Sequence, residues 1–371
     1  MWLVIMLCAL LLASLSLIYL SSRVCRFGFI KNTPLNKWRR GFRGLLIIAL
    51  VFVIIAKWLN FVNAIVCAFY FAGIWLLCDL GMALLSRLFK RSFRCYYAGV
   101  AAIVLSLVAL SWGWWLNHHI FQTTYNLQST KITRPLKVAM FADSHLGTTF
   151  DAAGFAQHLK DIEQHSPDVL IVAGDFVDDD TSKDEMIAAA KSLGEFKAPL
   201  GIYFVFGNHD EGYYGRAYRG YTGDDLVAEL EKNGIQVLAD EAKLLNNEIY
   251  LLGRKDLSAD REGRGGRYKM ADLARPLDKR KYIIVADHQP ADYAAQAQAK
   301  VDLVLSGHTH GGQLFPFNQI GKWIGALDRV YGYERREKTD FIVTSGISDW
   351  TIKFKTGTKS EFVIINVEPK K

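Results

Sequence analysis

Uncharged, mostly apolar residues fill positions 1–22, and three stretches of the same character follow. Residues 44–62 carry only Lys57, residues 64–86 carry only Asp79, and residues 96–116 carry no charge. About 20 apolar residues in helical conformation cross the hydrocarbon core of a bilayer, so the pattern predicts four membrane-spanning helices. Trp112, Trp114 and Trp115 close the fourth stretch, where indole rings favour the headgroup level. Residues 117–135 are polar and aromatic without clear periodicity and read as a linker. From Leu136 the pattern changes again. Short apolar runs at 138–142, 169–173, 202–206, 283–286 and 301–305 predict buried strands, and amphipathic stretches at 155–165, 183–193, 225–232 and 291–299 predict helices. Alternation of the two argues an α/β domain over 136–371. Residues 236–252 and 341–367 look antiparallel, with 362–367 a closing strand, so a mixed or two-sheet arrangement is expected rather than one parallel sheet.

Charge divides the chain at the same place. Before Ile120 there are twelve Lys or Arg and one acid, which leaves 32 basic and 36 acidic residues beyond it. The net charge of +7 therefore belongs to loops flanking the spans, and the chain has no basic globular surface of the kind that binds a nucleic-acid polymer. Residues 23–43 hold seven basic side chains and residues 87–94 hold four. Cytoplasmic loops are enriched in Lys and Arg, and two crossings separate these loops, so both are assigned to the cytoplasm. The fourth span then carries residues after 116 outward from an inner or plasma membrane. The first span lacks the basic start and small-residue cleavage site of a signal peptide and is taken as an uncleaved anchor. Asp79 is placed near the cytoplasmic end of the third span, meeting water or a nearby Arg. All five cysteines precede residue 96, so a metal in the C-terminal domain must sit on N and O ligands.

Such ligands follow the predicted strands. Asp143 and His145 follow the first, Asp175 and Asp178 the second, Asn208, His209 and Asp210 the third, His288 the fourth, and His308 and His310 the fifth. Loops at the carboxyl ends of strands in an α/β sheet converge on one crevice. Asp-x-His and His-x-His place both side chains on one side of extended backbone. Five of the seven histidines after Ile120 fall in these loops. His158 and His165 sit on a predicted helix and are assigned to its surface. The donors suffice for two ions if one carboxylate bridges, and the mixed N/O set suits Mn²⁺, Fe or Zn²⁺.

With Asp143-x-His145, Gly174-Asp175-x-x-Asp178, Gly207-Asn208-His209-Asp210, His288 and Gly307-His308-x-His310 in this order, the chain resembles the calcineurin-like metallophosphoesterase superfamily, in particular its membrane-associated bacterial branch. The resemblance covers nearly all of 136–371. It implies a sandwich of two mixed β-sheets flanked by helices, with one ion on Asp143, His145, Asp175 and His310. The second ion is implied on Asp175, Asn208, His288 and His308, with Asp175 bridging. His209 would face the leaving group and Asp178 would orient its ring. The implied activity is phosphoester hydrolysis by metal-activated hydroxide, on a phosphodiester or a lipid- or sugar-linked phosphate.

Substrate choice is less defined by the residues. Tyr213, Tyr214, Arg216 and Arg219 follow the Asn208-His209 cluster and are candidates for a substrate-binding rim, with an ordinary solvated loop as the competing reading. Arg261, Arg264 and Arg267 read as a flexible solvated stretch rather than an anion site. The UDP-diacylglucosamine pyrophosphohydrolases are related enzymes, and that substrate requires a cytoplasmic domain, against the sidedness assigned here. A membrane sensor that binds metal without turnover is the alternative of a different class. His209 and Asp178 beside the ligands favour catalysis.

Overall fold

The computed structural model describes residues 2–90, 95–214, 216–261 and 266–370. Arg91 and Arg94 of the second basic loop, and Arg264, lie outside them. Two compact units are present, one comprising residues up to Trp115 together with Thr351–Phe354, the other the remainder.

In the first unit, four helices are long and apolar enough to cross a membrane: 7–24, Lys37–Leu59, Phe61–Leu88 and Tyr97–His118. Their outward faces carry most of the exposed leucines, isoleucines and valines among the described residues, as expected where hydrocarbon replaces water. Asp79 is paired, with its carboxylate 3.0 Å from Arg23 Nε and 3.6 Å from Arg26 Nη1. It also accepts from Tyr96 Oη at 2.8 Å. Thr351–Phe354 belongs to this unit through its carbonyl and amide groups. Thr351 O accepts from the Asn60 and Asn63 side-chain amides, and Lys353 N–H donates to Asn63 Oδ1 at 2.9 Å.

In the second unit, twelve strands build two six-stranded mixed sheets. The first five are β1 (Ile120–Ser129), β2 (Leu136–Phe141), β3 (Val169–Ala173), β4 (Ile202–Val205) and β5 (Gln236–Val237). They are followed by β6 (Glu241–Asn246), β7 (Ile249–Gly253), β8 (Tyr282–Ala286), β9 (Leu303–Ser306), β10 (Gly332–Arg336), β11 (Thr339–Val343) and β12 (Ser360–Pro369). The first sheet runs β1-β12-β2-β3-β4-β5, and the second β10-β11-β9-β8-β7-β6. Pairing is parallel along β2-β3-β4 and along β7-β8-β9-β11, so their carboxyl ends share one edge within each sheet.

Alternation along each strand makes the layers. On β2, Val138 and Met140 enter the core between the sheets, while Ala139 and Phe141 pack beneath the helices. Helices Ala152–Glu163 and Lys183–Gly194 cover the outer face of the first sheet with Phe155, Leu159, Ile162, Met186 and Leu193. Their N-termini are fixed by Asp151 and Ser182, whose side chains accept from the third helical residue. Helix Gly223–Lys232 opens with a Thr222/Asp225 capping box. Helices Met270–Ala274 and Tyr293–Gln298 cover the second sheet.

Two expectations differ. The stretch read as a linker contains β1, which pairs with β12 in parallel register from Ile120 to Ser129. It escaped notice because it is an edge strand in which only Leu127 and Ser129 are buried. His158 and His165 are not on an open surface. The His158 ring packs 5.0 Å from Phe150, and His165, just past the helix end, lies 5.7 Å from Phe362.

Candidate metal centre

The loops after β2, β3, β4, β8 and β9 meet, as the strand order requires. Backbone bonds tie the first two together: Asp143 N–H donates to Gly174 O at 3.0 Å and His145 N–H to Asp175 O at 3.1 Å. Gly307 N–H donates to His288 O at 2.9 Å, joining the loops of the second sheet. The two sheets are bridged by Ile347 N–H to Ala142 O at 2.9 Å. Glycine is required twice at this junction. A Cβ on Gly207 would stand 2.1 Å from Asp175 Oδ1, and one on Gly174, at φ +87°, 2.5 Å from His288 Nδ1.

Five of the converging side chains sit on left-handed backbone: Asp143, His145, Asp175, His308 and His310, with φ between 35° and 70°. Such strain outside glycine persists only where surrounding contacts enforce it, and it concentrates at functional sites. Ligand atoms of Asp143, His145 and His310 lie within 4.8 Å of one another, and so do those of Asp175, His288 and His308. Asp175 joins the two groups: its Oδ2 is 3.1 Å from His288 Nε2 and 3.7 Å from His145 Nε2.

The far sides of the rings are held. His288 Nδ1 contacts Ala173 O at 2.8 Å and His310 Nδ1 contacts Ser348 O at 3.3 Å. With those bonds made, His288 Nε2, His145 Nε2 and Asn208 Oδ1 are buried without a hydrogen-bond partner. Buried polar atoms are otherwise almost always satisfied. Burial lowers the pKa of His288, but the Asp175 carboxylate outweighs it and raises that pKa well above the ordinary value. The pocket therefore attracts positive charge. Orphaned N and O donors around a shared carboxylate fit a pair of divalent cations.

Asp178 lies between two imidazoles, with Oδ1 3.1 Å from His209 Nδ1 and Oδ2 3.3 Å from His145 Nδ1. Burial would raise its pKa, but the bonds to both rings hold it well below the carboxylate range. For His209, burial acts downward, and Asp178 and Asp175 more than offset it, so its pKa is raised.

Among the rim candidates, Tyr213 is well placed. Its hydroxyl accepts from Asn208 Nδ2 at 2.8 Å, and its ring is 5.1 Å from His209. Tyr214 and Arg216 are exposed. Arg219 is not on the rim. It is 5 % exposed, lies over the Tyr221 ring and donates from Nη2 to Asp210 O at 2.7 Å. It supports the loop from behind. Arg267 is likewise no flexible side chain, being buried and paired with Asp287 at 2.9 Å.

Several positioning residues were given no role by sequence reasoning, Asp210 among them although it stands in the Gly207–Asp210 motif. Asp210 is fully buried and its carboxylate accepts from the N–H groups of Asp175, Phe176, Val177 and Gly207. Burial is the first cause of its pKa rise to about 7. Lys355 is also buried, which lowers its pKa to about 8, and it donates to the carbonyls of Ser345, Gly346 and Ser348. It thereby fixes the Ser348 carbonyl that His310 uses. Asp256, 4 % exposed, receives Gln289 Nε2 at 2.9 Å while its Oδ2 has no partner. Trp350 stands 5.1 Å from the His209 ring. A loop acid or Lys used on backbone groups has no spacing signature; Asp210 was detectable only by its adjacency to His209.

Residues 136–312 match the calcineurin-like phosphoesterase family. An uncharacterized metallophosphoesterase from Campylobacter jejuni is 30% identical over 252 residues, 66% of this chain and 63% of that protein. Another from Aquifex aeolicus is 32% identical over 194 residues, 52% of this chain and 70% of that protein. A Danio rerio relative named transmembrane protein with metallophosphoesterase domain is 32% identical over 243 residues, 62% of this chain and 52% of that protein. The chain thus spans less than two thirds of the first of these relatives and about half of the last.

Proposed function

Because the chain belongs to the calcineurin-like phosphoesterase family, we propose that it is a membrane-anchored hydrolase of phosphate esters whose centre takes two divalent cations. The observation that carries this reading is the Asp175 carboxylate set between His145 and His288, whose buried Nε2 atoms, 3.7 and 3.1 Å from it, have no hydrogen-bond partner beyond that carboxylate. Asp143, His145, Asp175 and His310 would hold one ion. Asp175, Asn208, His288 and His308 would hold the other. When bound, such a pair supplies an acidified water and positive charge at the phosphoryl oxygens of an in-line displacement.

The chain's own residues do the rest. A water oxygen forms the new bond to phosphorus while the ester P–O bond breaks. His209, protonated and held at Nδ1 by Asp178, gives its other ring proton to the departing alkoxide. Water's proton leaves to solvent, and His209 is reprotonated from solvent, so the balance is ester plus water to alcohol plus phosphate. Asp178 also bonds His145, and this one carboxylate would align an ion ligand and the acid together. Tyr213 and Trp350, each with its ring 5.1 Å from that of His209, would line the leaving-group side.

The extracytoplasmic orientation proposed with it is supported by the charges of the helical unit. Arg23, Arg26 and Asp79 mark one end of its third long helix. Asn63, which binds Thr351 and Lys353, is roughly 24 Å away along that helix at 1.5 Å per residue. Basic loops stay in the cytoplasm. The segment that Asn63 holds would then be on the outer side.

The test is turnover of bis(p-nitrophenyl) phosphate by the full chain in detergent with added Mn²⁺, Fe²⁺ or Zn²⁺. Hydrolysis abolished by Asp175→Asn supports the proposal. A folded, metal-loaded protein with no turnover under any of these ions would leave a binding role instead.

A further inference from the structure

Among the described residues of the second unit, the segment after His308 and His310 holds a dense run of exposed large hydrophobic side chains. Setting tyrosines aside, the exposed large hydrophobic residues described after residue 116 are Leu244, Trp350 and five others. Those five fall within ten positions: Phe315 (63 % exposed), Phe317 (56 %), Ile320 (41 %), Trp323 (72 %) and Ile324 (60 %). Scattered single hydrophobics are ordinary on a surface; a contiguous cluster marks a contact.

This loop is built rather than loose, and it stands on the metal-site loops. At its start, Thr356 and Gly357 N–H donate to Gln313 O, at 2.9 and 3.1 Å, directly after His310–Gly312. At its end, Asp328 N–H donates to Pro290 O at 2.9 Å, two residues from His288, and Thr309 Oγ1 donates to Val330 O. Short helical turns at Phe317–Gln319 and Ile320–Trp323 project its side chains outward. Residues 313–327 contain no acid and one base, Lys322.

An occupant is indicated by what else the chain carries. Four helices long enough to cross a bilayer precede the domain, and the last ends at His118, one residue before β1 begins. The chain thus joins the domain to a candidate membrane span through a single residue, His119. Phe, Trp and Ile around a single Lys are the composition that settles at the headgroup boundary, with the ammonium reaching anionic phosphate.

We infer that the 313–327 loop seats in the outer leaflet and that the substrate is a lipid phosphate ester delivered from it to the adjoining centre. The loop's seating is independent of the hydrolase reading; the substrate class rests on it.

Two experiments separate these parts. In full-length protein reconstituted into vesicles of phosphatidylethanolamine and phosphatidylglycerol, Trp323→p-benzoylphenylalanine is irradiated and the adduct is identified by mass. Phe317→p-benzoylphenylalanine is the second position should the first disturb assembly, and Leu244→p-benzoylphenylalanine is the control. Lipid adducts at 323 or 317 and none at 244 are expected. Adducts to a second copy of the chain, or none, overturn the seating whatever the enzyme does. For the substrate class, phosphatidic acid in nanodiscs should compete with bis(p-nitrophenyl) phosphate. Its inhibition constant should rise about tenfold in the Phe317→Ser, Trp323→Ser, Ile324→Ser triple variant, with KM for the soluble diester unchanged. Equal inhibition of both proteins overturns a lipid substrate. Absence of soluble-diester turnover in the wild type overturns the hydrolase reading, and the substrate class with it, and leaves the seating to the crosslinking result.

Discussion

Asp178 offers one oxygen to His209 and the other to His145. Replacing it with Asn keeps the shape and removes the charge that keeps the His209 proton in place. An acid must be protonated to act, so activity is lost as pH rises through its pKa. That pKa is raised by Asp178. The alkaline limb of the pH–rate profile of Asp178→Asn should therefore move to lower pH, and an unmoved limb would assign the proton to another group. His209→Ala should lower kcat by about a hundredfold or more while the metal content, read by mass spectrometry, stays near wild type. Loss of metal would make it a ligand. The residues of this set were legible in the sequence because imidazoles and carboxylates clustered after apolar runs have few other uses. Lys355 and Asp256 were not, and Asp210 was named without its role, since they act on backbone groups and on a neighbouring amide, where no residue spacing is imposed.

At the scale of elements, the loops are shaped by what a Cβ would strike. Gly207→Ala would bring carbon against Asp175 Oδ1 and its backbone N, at 2.1 and 2.4 Å. Metal content should fall together with activity, unlike in His209→Ala. Arg219→Met should show the opposite separation. The buried guanidinium supports Asp210 O from behind, so the melting temperature should drop by the equivalent of about 1–3 kcal/mol while KM changes little. A raised KM at unchanged stability would return Arg219 to the substrate rim. Strands β2, β3, β4, β8 and β9 were readable as apolar runs because both faces of each are covered. β1 and β10 were not. Both are edge strands with polar or charged residues on the open side, and only their pairing with β12 and β11 defines them. The cluster at 315–324 went unread because its apolar residues, interrupted by Pro316, Asn318, Gln319, Gly321 and Lys322, follow neither a strand nor a helix period, and only accessibility reveals that they face out.

For the whole molecule, cations that bind the folded centre and not the unfolded chain should stabilise it. At about a hundred times the dissociation constant the gain is about 2.7 kcal/mol, so chelation should lower the melting temperature of the full chain measurably. No shift on chelation of a metal-loaded sample would remove the centre from the account. A reporter fused after Lys371 should be active outside the cytoplasm. The helix ending at His118 and β1 beginning at Ile120 leave the chain almost no slack between the two. Joined to a candidate span this directly and acting on the lipid phosphate ester inferred above, the domain would search in two dimensions. Its rate should track the mole fraction of substrate in the leaflet rather than the bulk concentration, and diluting the surface with inert lipid should slow it while adding buffer does not.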